Sequence, residues 1–149
     1  MAPHEIVIIG GGVGGTLAAN ILAHKLTRRR AHVTLIDRTG RHCFQPGWLY
    51  VPFGGEPPEH LERNERSLLD RRVTLAIGDV AKINRGARLI EMADGMHFPY
   101  DTLIIATGAR LAPELLPGFS EGAHHFYSAE AALQLHAALR AFTGGRVVV

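Results

Sequence analysis

The sequence predicts an α/β domain with a central parallel sheet, helices on both faces and a small antiparallel insertion. Three observations predict it. Apolar runs at residues 6–9, 32–36 and 102–106 are short and nearly uninterrupted, as strands buried on both faces of a parallel sheet are. A helix-compatible segment, residues 16–27, lies between the first two, giving the strand–helix–strand alternation of parallel sheets. Between residues 73 and 100 the runs are shorter and broken by Asn84-Arg85-Gly86 and by Asp94-Gly95, a hairpin signal, so that part reads as antiparallel.

Taken in order, Ile6, Val7, Ile8 and Ile9 make the first strand. A glycine-dense turn leads into the first helix, where Leu17, Ile21 and Leu22, with Ala18 between them, form the stripe expected to face the core. Arg28, Arg29 and Arg30 are expected to close that helix, where positive charge suits the C-terminal end; a phosphate or acidic-lipid contact is the other reading. The second strand ends on Asp37. Residues 39–55 are irregular, with five aromatic or thiol side chains (Cys43, Phe44, Trp48, Tyr50, Phe53) among glycines and prolines. A loop of that length is more often functional than idle. Residues 60–72 are charged, with Leu61, Leu68 and Leu69 as the few apolar anchors, and read as one or two solvated surface helices. Strands follow at 73–77, 80–83, 88–92, 97–100 and 102–106, the last ending at Thr107-Gly108. Pro113, Pro117 and Gly118 mark a surface connection. Ser128 caps a helix running to about Phe142, with Leu135, Leu139 and Phe142 on one face, and Gly144-Gly145 stops it. Val147, Val148 and Val149 read as the beginning of a strand. The expected organisation is one domain over residues 1–143 and the start of a second over 144–149, with the chain the N-terminal part of something longer.

The chemistry sits at the first turn. Gly10, Gly12 and Gly15 fill a G-x-G-x-x-G spacing between an apolar strand and a helix, and an acid, Asp37, ends the next strand. The first glycine allows the sharp turn, the second lets backbone approach a pyrophosphate, and the third lets helix and strand pack closely. The helix N-terminus, with Val13 and Gly14 in its opening, then presents N–H groups to phosphate. Asp37 can accept from a ribose diol and would repel a 2′-phosphate, which favours FAD or NAD over NADP; Arg38 beside it weakens that exclusion. The competing reading is a purely structural glycine turn.

Composition sets limits. The 149 residues are 46% hydrophobic and 20% charged, within the range of globular domains. The net charge of +2 and the scattered arginines show no nucleic-acid patch with interleaved aromatics. The single cysteine, Cys43, allows no intramolecular disulfide, and it reads as an inert thiol unless Arg41 and His42 make its setting electropositive. No signal peptide and no membrane-length apolar run appear, so a cytoplasmic location is expected. Nine histidines include one adjacent pair, His124-His125, without the spacing of a metal site, and no metal is expected.

The glycine turn, the loop His42-Cys43-Phe44-Gln45-Pro46-Gly47-Trp48, the antiparallel insertion and Tyr100-Asp101-Thr102-Leu103-Ile104-Ile105-Ala106-Thr107-Gly108 together resemble the pyridine nucleotide-disulfide oxidoreductase superfamily. Within it the Gln-Pro-Gly loop looks like the sulfide:quinone oxidoreductase group, with type II NADH dehydrogenases as nearest relatives. The resemblance implies a Rossmann-like FAD/NAD(P)-binding domain holding FAD. Gly10, Gly12, Val13, Gly14 and Gly15 would cradle the pyrophosphate, and Asp37 and Arg38 would lie at the adenosine ribose. Asp79-Val80 would meet the adenine, Gln45-Pro46 would lie beside the flavin ring, and Thr107-Gly108 would pack near it. It implies electron transfer from a small-molecule donor, sulfide or NAD(P)H, to an acceptor such as quinone, with any membrane association peripheral and made through parts beyond Val149. The redox cysteine pair of the glutathione-reductase-like branch is missing. Tyr127 stands near the place where some sulfide:quinone enzymes carry a redox cysteine. A type II NADH dehydrogenase-like enzyme and a non-catalytic dinucleotide-binding module remain as alternatives. No catalytic side chain and no oligomeric state can be named.

Overall fold

A computed structural model describes residues 2–27 and 29–149. The chain forms two compact units, Met1–His42 with Arg63–Gly108, and Cys43–Glu62 with Ala109–Val149.

The elements wholly or mostly in the first unit are β1 (His4–Ile9), α1 (Val13–Lys25), β2 (Ala31–Asp37), β3 (Arg41–Cys43, its last residue in the second unit), β4 (Glu62–Asn64, its first residue in the second unit), α2 (Glu65–Leu68), β5 (Val73–Ile77), β6 (Val80–Asn84), β7 (Leu89–Met92), β8 (His97–Pro99) and β9 (Thr102–Ile105). The short β3 and β4 pair where the chain leaves this unit and returns to it. The main sheet has the order β5-β2-β1-β9, and every neighbouring pair in it is parallel. Ile8 stands opposite Leu35 on one side and Ile104 on the other. From β1 the chain crosses by α1 to β2 and then β5, and it comes back to β9 on the opposite flank. The crevice between the turns after β1 and β9 is thus a topological switch point, where ligands of such sheets bind.

The apolar run of β1 feeds two cores because successive strand side chains point to opposite faces. Ile6 and Ile8 pack with Leu35, Val73 and the helix residues Ala19 and Ala23. Val7 and Ile9 pack with Ile36, Ala76, Ile90 and Met92. The second face is therefore covered by the antiparallel sheet β6-β7-β8, not by a helix as the sequence suggested. Strand β7 supplies the same kind of cover: its alternate residues Ile90 and Met92 are buried and seal that face.

The buried stripe of α1 also differs from expectation. Gly15, Thr16, Ala19 and Ala23 are buried, whereas Leu17 and Ile21 are exposed and Ala18 and Leu22 are only partly covered. The helix starts so close to the sheet that small residues at i, i+4 and i+8 make the contact, and the larger ones turn outward. It ends at Lys25, so Arg29 and Arg30 fall in the turn before β2, and its last-turn basic residues are His24 and Lys25. Arg28, the first of the arginine run, lies outside the described residues. The stretch expected to be solvated helix is instead β4, one turn of α2 and the core residue Leu69, and Glu65 within it is fully buried.

The second unit has little regular structure. Short 3-10 turns at Gln45–Leu49, Val51–Phe53, Pro58–Leu61 and Pro113–Leu115 accompany α3 (Phe119–Gly122) and α4 (Ala129–Ala141). Trp48, Val51, Leu61 and Ala132 form its core, with Cys43, Phe126 and Ala129 against them. Ser128 caps α4 as expected, its Oγ accepting from the Ala131 N–H at 3.2 Å. The helix buries Ala131 and Ala132, however, and Phe142 is exposed. Val147, Val148 and Val149 are exposed and pair with no strand among the described residues; a strand is stable only with a neighbour's ladder. No described helix is long and apolar enough to cross a membrane.

Candidate dinucleotide-binding site

The carboxyl ends of β1, β2, β5 and β9 surround a cavity of about 360 Å³ in the first unit, and Gly10, Asp37, Arg38, Asp79, Val80 and Thr107 line it. Backbone bonds bring these ends together: Gly10 N–H donates to Ile36 O, Ala106 N–H to Ile9 O and Gly78 N–H to Asp37 O, at 2.8, 2.8 and 2.9 Å.

The three motif glycines do three different jobs. Gly10 has φ +104°, and a Cβ there would collide with the Ala106 carbonyl oxygen. A Cβ on Gly15 would run into the carbonyl oxygen of Gly10, so α1 can sit this close to β1 only with glycine at the contact. At Gly12 and Gly14 an added Cβ would meet nothing within 4 Å. The first and third glycines are thus demanded by the protein itself, whereas Gly12 faces open space at the mouth of the helix. Val13, in the first turn of α1, is 62% exposed.

Asp37 locks the turn to the second strand. Its Oδ2 accepts the Gly11 N–H at 2.8 Å. Its Oδ1 accepts the N–H groups of Thr39 and Gly40 at 2.9 and 2.8 Å and, more weakly, the Thr39 hydroxyl at 3.3 Å. Burial pushes this carboxyl up, but the backbone donors Gly11, Thr39 and Gly40 together outweigh it and hold the group below the ordinary carboxylate value. A carboxylate oxygen accepts about two hydrogen bonds, so Oδ1 is filled and Oδ2 keeps room for one more donor. At the rim Arg38 Nε donates to Asp79 Oδ1 at 3.1 Å, with both side chains well exposed.

The turn has a second support that sequence reasoning missed. Beneath Gly11 lie Thr16, His42 and the fully buried Glu65. The Thr16 hydroxyl faces Gly11 O at 3.1 Å and Glu65 Oε1 at 2.6 Å. His42 Nδ1 lies 3.0 Å from both Gly11 O and Glu65 Oε2. The Thr16 hydroxyl oxygen is a third neighbour of that nitrogen, at 3.3 Å; with its hydrogen on Nδ1 the ring donates toward the two acceptor oxygens. Nothing in the spacing of Thr16, His42 and Glu65 signals their meeting; the one hint is a threonine directly after the third glycine.

Of the residues singled out in the sequence, the first unit brings together Gly10, Gly12, Val13, Gly14, Gly15, Asp37, Arg38, Asp79, Val80, Thr107 and Gly108. Gly108 follows β9 with φ +69°. Gln45 and Pro46 belong to the second unit, where they open a 3-10 turn and line a cavity of about 420 Å³ with Trp48, Leu49, Phe126 and Tyr127. Cys43 is half-buried there. Burial and the nearby Glu62 raise its thiol against the Trp48 indole N–H, which is the setting of an unreactive cysteine.

Residues 4–149 match the family described as pyridine nucleotide-disulphide oxidoreductase. The chain belongs to that family. Among its curated relatives is the mitochondrial sulfide:quinone oxidoreductase of Dictyostelium discoideum, 27% identical over 117 residues, covering 78% of this chain and 26% of that protein. A type II NADH:quinone oxidoreductase of Mycobacterium tuberculosis is 33% identical over 141 residues, covering 89% of this chain and 29% of the relative. Among solved structures, the sulfide:quinone oxidoreductase of Aquifex aeolicus superposes with a TM-score of 0.79 at 25% identity, over 92% of this chain and 32% of that one. The chain therefore spans about a quarter to a third of the family members it matches.

Proposed function

We propose that this chain is the FAD-holding part of a flavin-dependent oxidoreductase that passes electrons from a reduced donor, sulfide or NAD(P)H, to an acceptor such as quinone. The observation that carries the reading is the glycine turn bonded to Asp37 at the switch point of a parallel sheet. Two observations support the cofactor: backbone crowds Gly10 and Gly15, whereas a Cβ at Gly12 or Gly14 would meet nothing within 4 Å, as close approach of a pyrophosphate to bare backbone requires. In this assignment Gly10, Gly12, Val13, Gly14 and Gly15 hold the pyrophosphate. Asp37 uses the free capacity of Oδ2 for the ribose with Arg38 beside it, Asp79 and Val80 border the adenine, and Thr107 and Gly108 serve the flavin end. The flavin, when bound, supplies the two-electron chemistry; the chain binds and orients it. Residues 1–143 form the FAD-binding part, and 144–149 lead into a second dinucleotide-binding domain.

The relatives support two readings of the donor. The structural likeness to the Aquifex enzyme supports sulfide. The higher identity to the mycobacterial enzyme supports the second reading, NADH. Cys43 has no partner cysteine in this chain, so sulfur chemistry through a cysteine pair requires residues outside it. The test is anaerobic titration of the yellow product of the complete reading frame. Bleaching by sulfide supports the first reading and bleaching by NADH the second. A bound flavin indifferent to both leaves a dinucleotide-binding module, and a folded product that takes up no FAD removes the proposal.

A further inference from the structure

Gly11 is gripped from two sides by two carboxylates. Its N–H goes directly to Asp37. Its carbonyl is reached indirectly, through Thr16 and His42, and behind both stands Glu65. Glu65 is also tied to the Asp37 loop, because its N–H donates to Gly40 O at 2.9 Å while the Gly40 N–H donates to Asp37.

A buried carboxylate needs an explanation. Burying such a group is unfavourable unless it is well hydrogen-bonded, and an apolar side chain of like volume often serves stability as well or better. What an apolar side chain cannot do is orient a hydroxyl and an imidazole. Glu65 lies at hydrogen-bond distance from both, and the hydroxyl oxygen and the ring nitrogen also stand 3.1 and 3.0 Å from one carbonyl, each sharing its single hydrogen between Glu65 and Gly11 O. The peptide joining Gly11 to Gly12 is planar and trans, so its C=O and N–H point in opposite directions. Fixing the Gly11 carbonyl therefore aims the Gly12 N–H. Around Gly12 there is open space, so side-chain packing does not set that aim.

We infer that Glu65 is a positioning residue for the dinucleotide turn: through Thr16 and His42 it holds the Gly11 carbonyl and thereby directs the Gly12 N–H at the phosphates of the bound nucleotide. The phosphate part of this role rests on the dinucleotide reading above.

The test uses the product of the complete reading frame, with ADP and adenosine as probes, because only ADP carries the pyrophosphate. Thr16→Val removes the hydroxyl while keeping the shape, Thr16→Ser restores it, and Glu65→Met replaces the carboxylate at similar volume. The expected result for Thr16→Val and Glu65→Met is ADP affinity weakened roughly three- to tenfold, as loss of one hydrogen bond implies. Adenosine affinity stays unchanged, and Thr16→Ser recovers ADP binding. Folded variants that bind ADP like the wild type overturn the inference. If Glu65→Met does not fold, the Thr16 pair decides: equal ADP affinity for Val and Ser overturns it. If the wild type takes up neither FAD nor ADP, the functional reading fails separately. Amide exchange of the ligand-free protein then decides the geometry, with faster Gly11 and Gly12 exchange in Thr16→Val than in Thr16→Ser supporting it and equal rates overturning it.

Discussion

The two units build their cores in different ways. In the first, buried residues come in contiguous runs: Ile6 to Ile9 in β1 supply both faces of one sheet. In the second, the core gathers single residues from distant places, Trp48, Val51, Leu61 and Ala132, with no sheet to order them. A run of alternating strand residues carries its own instruction about which side chain faces where. A core assembled from isolated turn residues carries none. The first unit holds a shaped switch point with defined backbone directions, and the second holds an aromatic cavity bordered by Gln45, Pro46 and Trp48.

The sharpest way to probe this contrast is at the glycines, where the largest effect is expected. Gly15→Val drives a side chain into the Gly10 carbonyl. The loss should exceed the ~1–3 kcal/mol of ordinary overpacking, because backbone cannot step aside, and should appear as loss of the cooperative urea transition. Gly12→Val, with extended backbone at φ −76° and ψ −173° and open space around it, should leave stability within ~0.5 kcal/mol. In the flavin-loaded protein it should abolish FAD retention. A folded Gly12 variant with stoichiometric flavin would sink the pyrophosphate assignment.

Next in size, Trp48→Ala should cost ~3–5 kcal/mol, as large aromatic truncations do. It should also speed amide exchange at residues 45–53. Unchanged exchange there would show that Trp48 is not the anchor of the second core. A smaller effect is expected at Asp37, and it depends on pH. Its folded-state pKa is depressed, so its contribution is fully present above the unfolded value and fades as pH falls through the folded one. Stability should therefore drop at about pH 4 and below, and Asp37→Asn should flatten that limb of the curve; an identical acid limb would mean that Gly11, Thr39 and Gly40 do not hold the ionised form. The smallest is Ser128→Ala, which removes the α4 cap and should cost ~1 kcal/mol in urea unfolding. No measurable loss would show that the cap is replaced by water.

The glycine spacing, the strand runs and Asp37 were legible because each acts locally. A turn needs a residue without Cβ, and a strand end needs only its own register to place an acid. The loop role of Gln45-Pro46 came from resemblance, and the structure places these residues in the second unit. The face of α1 was misread because periodicity names Leu17, Ile21 and Leu22 as the stripe. The deciding quantity was how close the helix comes to the sheet, and that selects Gly15, Ala19 and Ala23. The cover on the second face was misread because apolar alternation in β7 does not say which layer it will seal.

By itself the sequence determined the parallel sheet, the glycine turn and the acid at the second strand's end, since all three follow from backbone sterics and short-range periodicity. Only the tertiary structure decided that Glu65, in a stretch that reads as solvated, is buried beneath that turn with Thr16 and His42. The physical reason is that hydrogen bonds between residues 23 and 49 positions apart depend on where separate elements meet, which no local pattern encodes.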